Sequence, residues 1–421
     1  MSSFEGLDFF KEKSIVNDPN PYFEHLRKGG PAISMPKNNV VAVVGYDEAL
    51  AIYRDDERYS AVNAATGPFG LPEFKTDEDL AEQIKEYRSS VPYGALLVTQ
   101  DPPSHGRTRA LLTGMITPKR LKENEEFMVR LSERQIAEFI ERGSFEVVSE
   151  YAQPYATLVI ADLLGVPEEE HPEFKLLIGP APGQLDGSSV FAGNNPLEQV
   201  GIKFFMYISD RREQPKSDVL TGLAQAKYED GEIPDIIEVV TIAAFLFGAG
   251  QDTTVRLLTA CLRYIAEDAE LQKTLRTQRE RIPEFIEEVL RFEGPVKSDF
   301  RLTREPVKIG NLDVPRGTTV MMLLGAVNRD PKKFENPNEL VLGRKNVRDH
   351  LAFGRGIHSC VGAPLARAET RTSLERIFSH TSDIRINEKK HGPKGARRYE
   401  YEPTFLLRGL RELHLEFTRA G

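Results

Sequence analysis

Residues 351–369 read Leu351-Ala-Phe-Gly-Arg-Gly-Ile-His-Ser-Cys360-Val-Gly-Ala-Pro-Leu-Ala-Arg-Ala-Glu369, and they set a cysteine where a glycine-rich loop turns into a helix. The apolar residues Leu365, Ala368, Leu374, Ile377 and Phe378 recur at roughly helical spacing, and Pro364 suits a first turn whose N–H needs no partner. Cys360 therefore stands at, or just before, the helix start. Unpaired backbone N–H groups and the positive end of the helix dipole favour an anionic sulfur there. Gly354, Gly356 and Gly362 free the backbone and remove side chains that would hold a flat partner away.

A thiolate serves as a nucleophile, a zinc ligand or an iron ligand. Zinc is disfavoured, because the chain has two cysteines and no C-x-x-C pair. A nucleophile wants a base nearby in space; His358 lies two residues away, but its spacing does not demand that role. An inert buried cysteine is the ordinary alternative. The residues alone leave these readings open.

The run from Phe353 through Gly354, His358 and Cys360 to Gly362, followed by Leu365-Ala-Arg-Ala-Glu369, resembles the haem-binding signature of the bacterial cytochrome P-450 family of haem-thiolate monooxygenases. The resemblance implies haem b, with Cys360 as the iron ligand, Phe353 beside the sulfur and His358 facing a propionate. A second segment, Asp101-Pro-Pro-Ser-His105-Gly-Arg107-Thr-Arg109, puts His105 and Arg109 on one helical face, able to hold a carboxylate together. Asp101 or Ser104 is expected to cap that helix. The segment resembles the family's D-P-P-x-H-x-x-x-R element, whose His and Arg bind propionates, and Arg301 resembles the third propionate partner.

A helix from about Pro234 to Ala266 is long enough to cross the molecule. An acid and a hydroxyl midway along an apolar helix are costly to bury unless paired, and a threonine hydroxyl can bond back to the i−4 carbonyl. Here Ala249, Gly250, Asp252 and Thr253 resemble the family's A/G-G-x-D/E-T element, where a widened helix turn makes an oxygen pocket opposite the thiolate. On that resemblance Thr253 bonds dioxygen or its water and Asp252 relays protons. Glu288 and Arg291 lie three apart on another helix and resemble the family's E-x-x-R, completed by Arg344, as a structural clamp. Cys261 reads as a small buried hydrophobe.

With 40% hydrophobic content, 421 residues can bury a large core, and no linker divides them, so one domain over residues 1–421 is expected, with haem between residues 249–254 and 353–362. The resemblance makes this the P-450 fold, mainly α with a smaller β region (α+β). A net charge of -9 argues against general nucleic-acid binding. The first residues carry acids and no apolar run fit for a signal or anchor, and Val239–Gly250 is too short for a bilayer, so no membrane contact and a cytoplasmic chain are expected. Strands are expected at Val40–Val44, Val307–Ile309 and Thr318–Leu323, and helices from Asp18 and Tyr46. A long irregular stretch runs from Ala61 to Val98 around an acidic segment, and residues 178–196 suit a lid.

The pocket residues expected are Tyr93, Phe245, Val296, Thr404 and Phe405, with Lys297 and Asp299 as further polar contacts, for a small hydrophobic substrate. No flavin or iron–sulfur segment is apparent. The expected system therefore takes dioxygen and draws electrons from a separate ferredoxin with its NAD(P)H-dependent reductase, docking beside Arg107 and Arg355. Two alternatives stand beside hydroxylation or oxidative dealkylation: peroxide-driven oxygenation, and a non-enzymatic haem sensor or carrier.

Overall fold

The computed structural model describes residue 4 and residues 7–75, 78–91, 94–112, 115–177 and 196–421. The chain is mainly α-helical with a smaller β region. Its organising element is the helix Ile236–Glu267, which opens where the Asp235 carboxylate accepts the Ile237 N–H at 2.8 Å. The helix packs on Gln153–Leu164, Pro196–Glu213 and Ala363–His380. Phe247, Leu258 and Cys261 are fully buried in the resulting core. By length and composition alone the whole helix could cross a membrane, although the run Val239–Gly250 by itself is shorter, and its buried residues belong to the core. Asp252 is paired with Arg256 one turn on, so the polar residues leave the backbone ladder intact.

A five-stranded sheet runs in the order Ala32–Met35, Val40–Val43, Thr319–Met322, Asp299–Thr303, Tyr59–Ser60, and Val40–Val43 lies parallel to Thr319–Met322. Side chains alternate between its two faces. Val41, Val43, Val320 and Met322 enter one core cluster, while Val40, Ala42, Phe300 and Met321 enter another. The same alternation places Asp299 and Arg301 together, on the face opposite Phe300. Strand Val307–Ile309 lies as expected, and the other expected strands and helices match to within two residues.

The stretch from Ala61 to Val98 is not wholly irregular. It contains the helix Leu80–Ser90, capped by Asp79, with Leu80, Ile84 and Tyr87 buried. Among the expected site features, Tyr93 and the lid residues 178–195 lie outside the described residues.

Candidate functional site

The loop before helix Ala363–His380 is closed by its own backbone: Cys360 N donates to Phe353 O at 3.0 Å and Gly354 N to Leu351 O at 3.0 Å. Gly356 has φ +70°, and a Cβ there would sit 2.1 Å from the Tyr53 carbonyl oxygen, so only glycine fits this approach. Phe353 packs under the Arg367 guanidinium, 4.6 Å from its ring centre. Cys360 is open to a cavity of about 260 Å³. Protein atoms nevertheless crowd the sulfur, and this desolvation raises its pKa. The N–H groups of Gly362 and Ala363, with Arg109 and Arg367, act the other way and are outweighed. Burial and the helix start therefore pull the Cys360 sulfur in opposite directions.

The long helix forms another wall, through Phe245, Ala249, Gly250, Thr253 and Thr254. It stays α-helical across these residues, so the widened turn expected from sequence is not formed. The Thr253 hydroxyl instead donates to the Ala249 carbonyl at 2.8 Å, which satisfies both groups without breaking the helix. A Cβ on Gly250 would come within 3.2 Å of Ile160, so the glycine also lets the neighbouring helix approach. Asp252 does not line the cavity: its side chain is 49% exposed and held by Arg256 at 3.0 Å.

Four nitrogen-bearing side chains cluster beside the sulfur. Arg109 donates to the Ser359 carbonyl at 2.7 Å, and the rings of His105 and His358 lie 4.2 Å apart. Arg301, 5% exposed, lines the cavity with Asp299 and pairs with it at 3.1 Å, while Tyr53 donates to the same carboxylate at 2.9 Å. Burial, followed by the Arg301 charge, drives the His358 pKa down to about 2. Burial and then Arg109 lower that of His105. Both shifts favour the neutral imidazole. His105 Nε2 is buried and has no protein partner.

Glu288, fully buried, accepts both Arg291 (2.8 and 2.7 Å) and Arg344 (3.1 Å to each oxygen), so the clamp closes. Several expected residues lie elsewhere. Val296 forms an isolated bridge to Leu407 and packs on a sheet core, and it does not line the cavity. The Thr404 hydroxyl closes a turn with Leu407, and Phe405 is buried against Phe69 and Phe300. Lys297 lines a different cavity. Arg107 is neutralised by Asp230 and Glu232 and stacks on Tyr228. Asp101 is not a helix cap. It is a buried hub for Ser60, Ala61, Arg88 and Arg304, partners too distant in sequence to be foreseen. Leu97, Val98, Ile116 and Ile160 line the cavity without any motif to mark them.

The donor set fits a flat ring with a metal centre and carboxylate arms. The Cys360 sulfur opens onto the cavity, Gly362 has no Cβ to stand 3.8 Å from it, and arginines with an orphaned imidazole nitrogen gather beside it. Residues 206–382 match the family model described as Cytochrome P450. The substrate-free structure of CYP150A6 from Mycobacterium marinum is 51% identical, covers 100% of both chains and superposes with a TM-score of 0.93. CYP109Q5 from Chondromyces apiculatus is 28% identical over 98% of each chain, with a TM-score of 0.82. Cytochrome P450 144 of Mycobacterium tuberculosis is 30% identical over 89% of this chain and 85% of its own. With the sulfur, glycine loop and arginine cluster in place, the chain belongs to the cytochrome P450 family and is a bacterial haem-thiolate monooxygenase that uses haem b.

Proposed function

We propose that this monooxygenase acts as a single domain in the cytoplasm, hydroxylating or oxidatively dealkylating a small hydrophobic substrate with dioxygen and electrons from a separate ferredoxin and its NAD(P)H-dependent reductase. The observation that carries the reading is the cavity itself. It sets Cys360 against Ala249, Gly250 and Thr253, and Leu97, Val98, Ile160 and Phe245 make much of the remaining lining apolar. Apolar lining favours a substrate that gains by leaving water.

In this reading Cys360 ligates the iron, and haem b supplies the one-electron and oxygen chemistry that side chains lack. Arg109 and Arg301 hold the carboxylate arms by charge, while neutral His105 and His358 contribute N–H donors. The Thr253 hydroxyl hydrogen is committed to Ala249, so its oxygen offers the cavity an acceptor that would hold a water in place. Asp252 is half-exposed and adjacent in sequence, suited to take protons from solvent and pass them on through water. Electrons enter beside the cysteine helix, where Arg348 flanks a groove and Arg355 bonds only backbone carbonyls, while Arg367 and Arg371 there are paired with Glu287 and Glu125. An acidic ferredoxin complements that surface.

The test is reconstitution of the holoenzyme with a ferredoxin, its reductase and NADH, using substrates first found by their displacement of water from ferric iron, read as a low-spin to high-spin change. Product formed in proportion to NADH supports the reading. Turnover with hydrogen peroxide alone, and none with the electron-transfer chain, overturns it in favour of peroxide-driven oxygenation.

A further inference from the structure

A second cavity, of about 340 Å³, lies between the start of helix Asn20–Lys28, the ends of helices Ile236–Glu267 and Ile282–Glu293, and the segment 397–408; no described residue lines both cavities. Its charges do not balance. Arg263, Lys297, Arg329 and Arg408 converge on it, and Glu293 is the one buried carboxylate in its lining. Asp18, the other acid there, is exposed and bonds Asn20. Arg397 also lines the cavity but has Glu388 as its partner.

Glu293 is fully used. Arg263 and Arg408 pair with it, and the Tyr264 and Tyr401 hydroxyls donate to it. Lys297 and Arg329 are therefore left without a carboxylate. Lys297 is 6% exposed, its ammonium makes no hydrogen bond among the described residues, and its neighbour is the Phe9 ring at 5.5 Å. Arg329 is 8% exposed; it gives two N–H groups to the Phe292 carbonyl and stacks on the Phe292 ring at 3.7 Å, leaving its other terminal nitrogen uncommitted. The buried Nε of Arg263 also has no partner.

Buried charges are ordinarily paired, because desolvation of a lone ion is not repaid. The cost is visible at Lys297, where burial and then the Arg408 and Arg256 charges press the amine down to about 7. Several donors turned on one space, with an ammonium lacking any counter-charge, describe a site whose complement is an anion. We propose that this cavity binds a small, multiply charged oxyanion, a phosphate- or carboxylate-bearing metabolite, held by Lys297 and Arg329. The space exceeds what a bare phosphate needs, and Phe292, Tyr399 and Tyr401 add aromatic carbon to its lining for an organic portion. Entry is open beside Asn17 and Asp18, both exposed.

The experiment is calorimetric titration and thermal melting of the haem-loaded protein with pyrophosphate and with citrate, each at constant ionic strength against chloride. Saturable binding of one probe with a rise in melting temperature is expected, and which probe binds separates a phosphate from a carboxylate ligand. Lys297→Met should weaken binding roughly tenfold or more, the effect of losing one charge-assisted hydrogen bond. Arg329→Gln should do the same, and carries the test should Lys297→Met fail to fold. Absence of saturable binding by both probes, or equal binding by the wild type and the variants, overturns the proposal.

Discussion

Replacing Glu288 with glutamine removes the counter-charge of two arginines that cannot move away. Arg291 is 1% exposed, and its remaining N–H groups are fixed by the carbonyls of Asn328, Pro337 and Glu339. Arg344 is similarly tied to Glu335 and Asn336. After the substitution both guanidiniums stay buried and unpaired, a loss of about 3–5 kcal/mol. The half-exposed pair Arg281–Glu284 is the control, since Glu284→Gln should cost no more than about 0.5 kcal/mol. Urea unfolding followed by far-UV circular dichroism measures both, and the chain's lack of tryptophan makes that probe preferable to indole fluorescence. If the two variants lie within about 1 kcal/mol of each other, burial of this charge cluster does not have the weight assigned to it.

Other outcomes follow from the same structure. Burial would raise the Glu287 carboxyl, but Arg367 and His350 outweigh it and hold the group at about 2, below its ordinary 4.5. The stabilisation it provides is therefore complete above pH 4.5 and is lost as pH falls toward 2; acid titration of unfolding midpoints should show this dependence reduced in Glu287→Gln. Gly356→Ala forces an L-residue to φ +70° against the Tyr53 carbonyl and should cost at least about 1–2 kcal/mol, with reduced haem retention in gel filtration. Thr253→Ala should retain haem yet lower product per NADH by roughly tenfold or more, with the difference appearing as hydrogen peroxide or water; unchanged coupling would remove Thr253 from proton delivery.

What the sequence made legible is what lies at fixed spacing within one element. The cysteine loop, the pair Glu288 and Arg291, and the apolar stripe of the long helix are local patterns, and the structure places them where their periodicity implies. The helix Leu80–Ser90 was hidden because its three buried residues are diluted by charge, although their spacing of four and three is helical. Val296 and Phe405 fail for another reason: an apolar side chain says that a residue is buried, but not against which core, and the Thr404 hydroxyl is taken up in a turn with Leu407. Asp101, Asp299 and Lys297 take their meaning from partners far away in sequence, so their roles emerge only once the chain is folded.

The central claim is that the Cys360 sulfur binds haem iron in the first cavity. Absorption spectra of the dithionite-reduced protein under carbon monoxide test it directly, with Cys360→Ser alongside the wild type. The account predicts a strongly red-shifted Soret band in the wild type and its loss in the serine variant. An unshifted band in the native wild type, or the same red-shifted band in both proteins, would contradict it.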